Sequence, residues 1–258
     1  MADVTYSIDG HVATITLSNP GRYNAMSLIM WTRLGDALEA LGADSNIRVV
    51  ILRGEGERAF VSGADISEFD TQRNTGAGVA TYEAAVARAQ GALEQFPRPV
   101  IAAISGICYG GGLGLALACD MRYAGPSAKF RMPAARLGLG YTLAGVHRMV
   151  AVLGAARTAE LFYTARVCDA NTAAQIGLVN EVQDDVFSHA AKVAAEIAAN
   201  APMTVAAGKL ALNTLLEGVD EAGAAAVDAA VKACFASEDY AEGRKAFAEK
   251  RAPAFRGR

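Results

Sequence analysis

From Pro99 to Asp120 the chain reads PVIAAISGICYGGGLGLALACD, and no other stretch narrows the possible folds as far. An apolar, β-branched run (Val100, Ile101, Ile104) predicts a buried strand. A turn holding Gly106, Gly110, Gly111 and Gly112 follows, and then an uncharged helical segment from Leu113 to Cys119. Glycines between a buried strand and a buried helix allow close backbone approach, or let N–H groups point into a cavity. A helix starting there adds its unpaired N–H groups and the positive end of its dipole. Such a place suits an anion, permanent or transient. A tight packing turn without chemistry is the competing reading. Val100–Cys119 also has the length of a membrane span, but five glycines, a serine and the lack of basic or aromatic flanks argue against one. No register of the glycines supplies the G-x-G-x-x-G of a dinucleotide site.

At 258 residues and a net charge of −3, the chain has material for one large core and no basic block to attract nucleic acid or an anionic membrane. MADVTYSIDG lacks the features of a secretion signal. Cys108, Cys119, Cys168 and Cys234 stand apart in apolar contexts, as do His11, His147 and His189 in sequence, so we expect reduced thiols, a cytoplasmic protein and no metal site.

Along the chain, Val4–Ile8 and His11–Leu17 alternate around Asp9-Gly10, a hairpin signal. Ser27 is placed to cap a helix with an apolar face of Met30, Trp31, Leu34, Leu38 and Leu41, closed by Gly42. Arg48–Arg53 reads as a buried strand, and a second glycine turn follows at Gly63. Thr71–Gly78 predicts a mobile loop, Thr81–Phe96 a helix, and Asp120–Ala124 and Ala128–Met132 short strands. Val146–Leu153, Ala155–Phe162 and Asn171–Ile176 read as helices, and Val179–Val182 as the last strand. Beyond about Phe187 the chain is alanine-rich helix, with Ser237 capping a final helix through Lys250. Strand, glycine turn and helix recur at Val49–Gly63, Val100–Leu117 and Met121–Leu153. The expected fold is therefore α/β, a coiled stack of ββα units rather than a doubly wound sheet.

AFVSGADISEF (Ala59–Phe69) and SGICYGGGLGLALACD (Ser105–Asp120) resemble the two signature segments of the crotonase, or enoyl-CoA hydratase/isomerase, superfamily. NPGRYNAMS (Asn19–Ser27), FRMPAARLGL (Phe130–Leu139) and AFAEKRAPAFRGR (Ala246–Arg258) resemble it too, in the expected order. The resemblance implies a crotonase-type spiral of ββα units over residues 1–190, with an acyl-CoA site, and a helical oligomerisation region over 191–258. It implies a homotrimer or a hexamer built as a dimer of trimers, and no cofactor, since CoA enters with the substrate. It places the thioester oxygen at the backbone N–H groups of Ala64 and Gly111, beside Gly110. CoA contacts are implied at Arg22, Ser62, Asp65 and Ile66, and at Lys250 and Phe247 of the tail. Asp65 is equally placed to cap a short helix, with Glu68 at the capping-box position.

The chain departs from the family at the two carboxylates that split water across the double bond. Their positions are held by Gly114 and Ala134. Leu137–Met149 and Ser237–Phe255 resemble the methylmalonyl-CoA decarboxylase branch, which implies a functional tyrosine at Tyr141. That branch has a histidine where this chain has Ala64. Arg136, Thr142 and His147 are further candidates near Tyr141. Three functions stay open: a lyase of the hydratase/isomerase type with an unusual acid–base set, a malonyl-type acyl-CoA decarboxylase, and an acyl-CoA-binding homologue without catalysis.

Overall fold

The structure is a computed structural model that describes residues 2–68 and 76–258. The N-terminal hairpin is present, β1 (Asp3–Asp9) pairing antiparallel with β2 (Val12–Ser18). Ser27 caps α1 (Leu28–Ala43), its hydroxyl accepting from the Met30 N–H, and the predicted apolar face is buried. Gly42 lies inside this helix rather than closing it.

Three ββ pairs then follow, and each sends its two strands to different sheets. β3 (Val49–Gly54), β5 (Val100–Ile104) and β7 (Met121–Ala124) extend the hairpin into a six-stranded sheet of order β1-β2-β3-β5-β7-β10, whose last strand is Glu181–Val182. β4 (Ala59–Val61), β6 (Ile107–Tyr109) and β8 (Lys129–Arg131) form a second sheet, completed by β9 (Cys168–Asp169) in the order β4-β6-β8-β9. Within each sheet the strands of successive units are parallel. Every unit therefore advances the spiral by one strand in both sheets at once. The pieces β6 and β9 escape the sequence pattern because strands of two or three residues carry no periodicity.

Helices close the units: α2 (Gly76–Glu94), α3 (Gly111–Ala118), α4 (Ala134–Leu137), α5 (Leu143–Thr164) and α6 (Ala170–Gln175). Of the loop expected at Thr71–Gly78, residues 71–75 lie outside the described residues, and Gly76–Gly78 is the first turn of α2. The two helices expected on either side of Gly154 are one kinked helix, α5, with Gly154 at φ 71°.

The main core lies among α1, α2, α3 and the two sheets, around Trp31, Phe60 and Phe130. A smaller cluster sits on the outer face of the large sheet. There Val49, Ile51, Ile101 and Ala103 meet Val186, Ala190, Ala194 and Ala198 of α7 (Val186–Ala198). Residue 190, the expected limit of the spiral core, falls within that helix. α8 (Pro202–Glu217), α9 (Glu221–Ala236) and α10 (Glu238–Glu249) complete the chain. Lys209 of α8 is buried and bonds the Asp120 carboxylate at 2.8 Å and the Arg98 carbonyl at 3.0 Å, which ties this helix to the base of α3. Ser237 caps α10 as expected.

Candidate active site

The two glycine turns meet. A Cβ built on Gly110 lies 4.0 Å from the Cα of Gly63, and one built on Gly63 lies 3.6 Å from the Tyr109 carbonyl oxygen. Gly110 has φ 52° and caps α3, so the left-handed backbone that turns β6 into the helix falls on a residue without a Cβ. Gly112, the second residue of α3, faces strand β4 so closely that a Cβ would sit 2.3 Å from the Val61 carbonyl oxygen. Glycine at 112 is thus what lets the N-terminus of α3 lie directly on the strand that leads to Ala64.

The residues after the two turns are Ala64 and Gly111. Met26 donates to the Gly63 carbonyl at 2.8 Å and Asp65 donates to the Met26 carbonyl at 2.9 Å, which fixes the backbone on both sides of Ala64. Among the described residues the Ala64 N–H itself has no acceptor. Gly111 is the first residue of α3, and the first bond at that end is Gly114 N–H to the Gly110 carbonyl at 3.0 Å. Two neighbouring turns so present N–H groups at the positive end of one helix, the arrangement that stabilises an oxyanion. At the other end of α3 the buried Arg122 donates to the carbonyls of Ala116 and Cys119 at 3.3 and 2.7 Å. Its cation supplies the partners that the last turn lacks.

The remaining candidates are placed as follows. Arg22, Ser62 and Asp65 come together beside Ala64. Ser62 donates its hydroxyl to the Arg22 carbonyl at 3.1 Å, and the half-exposed Arg22 guanidinium pairs with Asp65 at 3.5 Å. Burial opposes the Asp65 charge, but bonds from Ser67 and Asn19 and the Arg22 charge outweigh it and leave the carboxyl below its ordinary range. The capping box is not formed. Asp65 does accept from the Ser67 N–H at 3.0 Å, over the single turn Ile66–Glu68, but Glu68 turns the other way and accepts from the Leu28 N–H at 2.8 Å, capping α1. Nothing is described of the Ile66 side chain. Lys250 and Phe247 sit apart, at the end of α10. Phe247 is 88% exposed and walls a separate groove of about 880 Å³ between α8, α9 and α10.

Tyr141 does reach the site. Its ring stacks edge-on against Phe162 at 5.5 Å, and its hydroxyl lies 3.9 Å from a Cβ built on Gly114. Burial pushes the phenol above its usual range. Thr142 caps α5, accepting from the Gly145 N–H, and Arg136 and His147 are exposed. The Pro133 ring lies 3.7 Å from the Cβ position of Gly110, which brings the buried Ala134 beside the turns without a carboxylate. Asp120 is engaged at the far end of α3 by Lys209 and the Val100 N–H.

One residue at the site escapes sequence reading. The Nε2 of Gln90, from α2, lies 2.6 Å from the Cβ position of Gly114. Its only signal is that it stands one residue after the buried Ala89 and four after Val86, a polar break at the edge of the helix's inward stripe.

The family model for enoyl-CoA hydratase/isomerase matches residues 7–258. The chain belongs to that family. A short-chain-enoyl-CoA hydratase of Clostridium acetobutylicum is 34% identical over 245 residues, 94% of this chain and 93% of the relative. The crystal structure of an enoyl-CoA hydratase/carnithine racemase from Magnetospirillum magneticum superposes with a TM-score of 0.91 at 37% identity, covering 100% of this chain and 97% of that one. An enoyl-CoA hydratase of Bacillus anthracis gives 0.93 at 33% identity, with 99% of each chain covered. The two-sheet spiral is thus the crotonase fold. This chain has both glycine turns, with Gly114 and Ala134 beside them.

Proposed function

We propose that this chain is an acyl-CoA-processing enzyme that holds the thioester carbonyl at the N–H groups of Ala64 and Gly111 and works through the thioester enolate. The observation that carries this reading is the meeting of the two turns at the N-terminus of α3. Fixed donors there gain strength as negative charge moves onto the oxygen, and one such donor is typically worth about 2.7–4 kcal/mol in the transition state. Gly110 keeps the turn open beside them. Arg22 is the cation offered to a CoA phosphate, with Ser62 and Asp65 beside it; Ile66 is retained only as the contact that the family resemblance implies, and Lys250 and Phe247 are the tail residues offered to a neighbouring copy's CoA. The exposed leucines of α8, Leu212 and Leu215, and Phe235 of α9 support residues 191–258 as the oligomerisation region of a trimer or hexamer. No carboxylate at 114 or 134 is available to activate water, so Tyr141 is assigned the proton transfer. A mass-spectrometric screen of a mixed acyl-CoA panel tests the reading. Turnover of one thioester, abolished in Gly111→Pro, is expected, because proline removes the donor and obstructs the turn. An enzyme preparation that consumes no CoA thioester faster than buffer does would instead mark an acyl-CoA-binding protein.

A second reading is supported by the neutrality of the groups facing Gly114. Decarboxylation of a malonyl-type thioester needs no base. The bond from C2 to the carboxylate carbon breaks, CO2 leaves, and the electron pair becomes the enolate that the two N–H groups hold. C2 then takes a proton, which this reading assigns to the Tyr141 hydroxyl. CO2 release from malonyl- or methylmalonyl-CoA that Tyr141→Phe leaves unchanged would remove the tyrosine from this scheme.

A further inference from the structure

Gln90 fills the space that a side chain at position 114 would take. With its Nε2 2.6 Å and the Tyr141 hydroxyl 3.9 Å from the Gly114 Cβ position, one polar group from α2 and one from the loop before α5 converge on one point above α3. Among the described residues neither the amide nor the hydroxyl has a hydrogen-bond partner. Around them the setting is apolar: Trp31 lies 3.4 Å from the Cβ position of Gly111, and Phe162 backs Tyr141. Nearby, Glu94 of α2 pairs with Arg148 of α5 at 3.1 Å. Tyr141 is 36% exposed and the Gln90 amide is open to water, so a ligand oxygen that displaces that water takes over its hydrogen bonds at little cost. Glycine at 114 and glutamine at 90 are also complementary, since any larger residue at 114 would expel the amide.

The place of this pair relative to the two N–H groups defines what it meets. Gly114 lies three residues beyond Gly111, about 4.5 Å of helix rise. That is the scale separating a thioester carbonyl oxygen from an oxygen carried on the third carbon of the same acyl group. We infer that Gln90 is a substrate-contacting residue which, with Tyr141, binds an oxygen on C3 of the acyl group, so that the substrate class is a C3-oxygenated acyl thioester. The inference rests on the thioester reading above. It covers two sources of that oxygen, the carboxylate of a malonyl-type acyl group and the hydroxyl of a 3-hydroxyacyl group, because an amide and a phenol donate to either.

The test is affinity for three thioesters, butyryl-CoA, 3-hydroxybutyryl-CoA and malonyl-CoA, in wild type, Gln90→Leu and Gly114→Ala, measured by competition before turnover is significant. Wild type is expected to bind at least one oxygenated thioester more tightly than butyryl-CoA. Gln90→Leu should lose that advantage, about tenfold for a buried hydrogen bond, with butyryl-CoA binding unchanged. Gly114→Ala, whose methyl displaces the amide, should reproduce the loss. Gln90→Glu separates the sources, weakening a carboxylate by like charge while sparing a hydroxyl. Equal affinity of wild type for all three ligands, or a Gln90→Leu loss shared by butyryl-CoA, overturns the inference while the thioester reading stands. Failure of wild type to bind any of them brings down both.

Discussion

The contact between Gly112 and Val61 makes a sharp prediction. In Gly112→Ala the new methyl would sit 2.3 Å from the Val61 carbonyl oxygen and 2.7 Å from the Val61 Cβ. Both belong to a strand held on its far edge by β6, so the neighbour that must yield is backbone. Overpacking of this kind costs about 3 kcal/mol at the upper end of its range, against which alanine gains about 1 kcal/mol over glycine in a helix interior. The expected net loss is about 2 kcal/mol, or about 4–8 °C in Tm for a chain of this size. To restore ordinary contact, α3 must move by about 1 Å from β4, carrying the Gly111 N–H with it. Misplacement on that scale costs about a hundredfold in rate. The control is Gly114→Ala, two residues along the same helix, where the methyl meets only the flexible end of Gln90. It should leave Tm equal to wild type or higher. Calorimetry on the three proteins, with turnover of the thioester identified in the panel, measures both effects. A Gly112→Ala protein as stable as Gly114→Ala and as active as wild type would refute the claim that glycine at 112 seats the site.

Three further outcomes follow from other contacts. Gly145→Ala would put a methyl 2.5 Å from Cε1 of the Tyr141 ring; we expect activity to fall as far as in Tyr141→Phe, with stability within about 1 kcal/mol of wild type, and full activity in Gly145→Ala would disprove a role for the ring's position. Lys209→Met leaves the partly buried Asp120 without its cation and should cost about 2–3 kcal/mol in urea unfolding, a change under about 0.5 kcal/mol counting against the tie. Glu242 is drawn down from 4.5 to about 2, first by its bond from Arg251 and then by the Ala254 N–H. A depressed carboxylate stabilises fully above its unfolded value, and that contribution is lost as pH falls through the folded one. Glu242→Gln should therefore flatten the decline of Tm between about pH 4.5 and pH 2, and an unaltered slope would show that the tail strap does not contribute.

How much of this the sequence disclosed depended on the range of the interactions involved. The β1–β2 hairpin, α1 with its Ser27 cap, and the glycine stretch are governed by residues within a few positions of one another, so pattern sufficed. The two-sheet division did not show, because what sends β3 and β4 to different sheets is the pairing of each with strands some fifty residues away. Glu68 was misread for the same reason. It stands at a capping-box spacing from Asp65, yet the Leu28 N–H, forty residues back in sequence, is its partner. Gln90 was invisible because its meaning comes wholly from a glycine on another helix. Phe255 and the tail were legible only as a resemblance. In the fold Asp239, buried at the start of α10, accepts from the Arg256 and Gly257 N–H groups at 2.6 and 2.8 Å and holds the last residues down.

The charges around α3 favour enolate chemistry over water activation. Among the described residues, the groups placed about Gly111 and Gly114 are neutral: two peptide N–H groups, an amide, and a phenol that burial pushes above its ordinary range. Ionised residues linked to this helix stand at the opposite end, where Arg122 donates to the Ala116 and Cys119 carbonyls and Lys209 pairs with Asp120. A base at 114 would introduce a negative charge one turn from the forming oxyanion and raise the cost of the charge that the two N–H groups exist to hold. With glycine there, the proposed enolate oxygen meets no carboxylate from position 114. If Gln90 and Tyr141 meet a carboxylate on C3, they bind it through neutral donors alone, and its charge moves to the better-provided oxyanion position when CO2 leaves. The pH profile expresses this directly. With no carboxylate titrating in the proton-transfer step, kcat should be flat from about pH 6 to pH 9 and fall only as the tyrosine ionises. An acid limb near about pH 5 that persists in Tyr141→Phe would reveal a carboxylate acting in the site and would overturn the assignment of a neutral one.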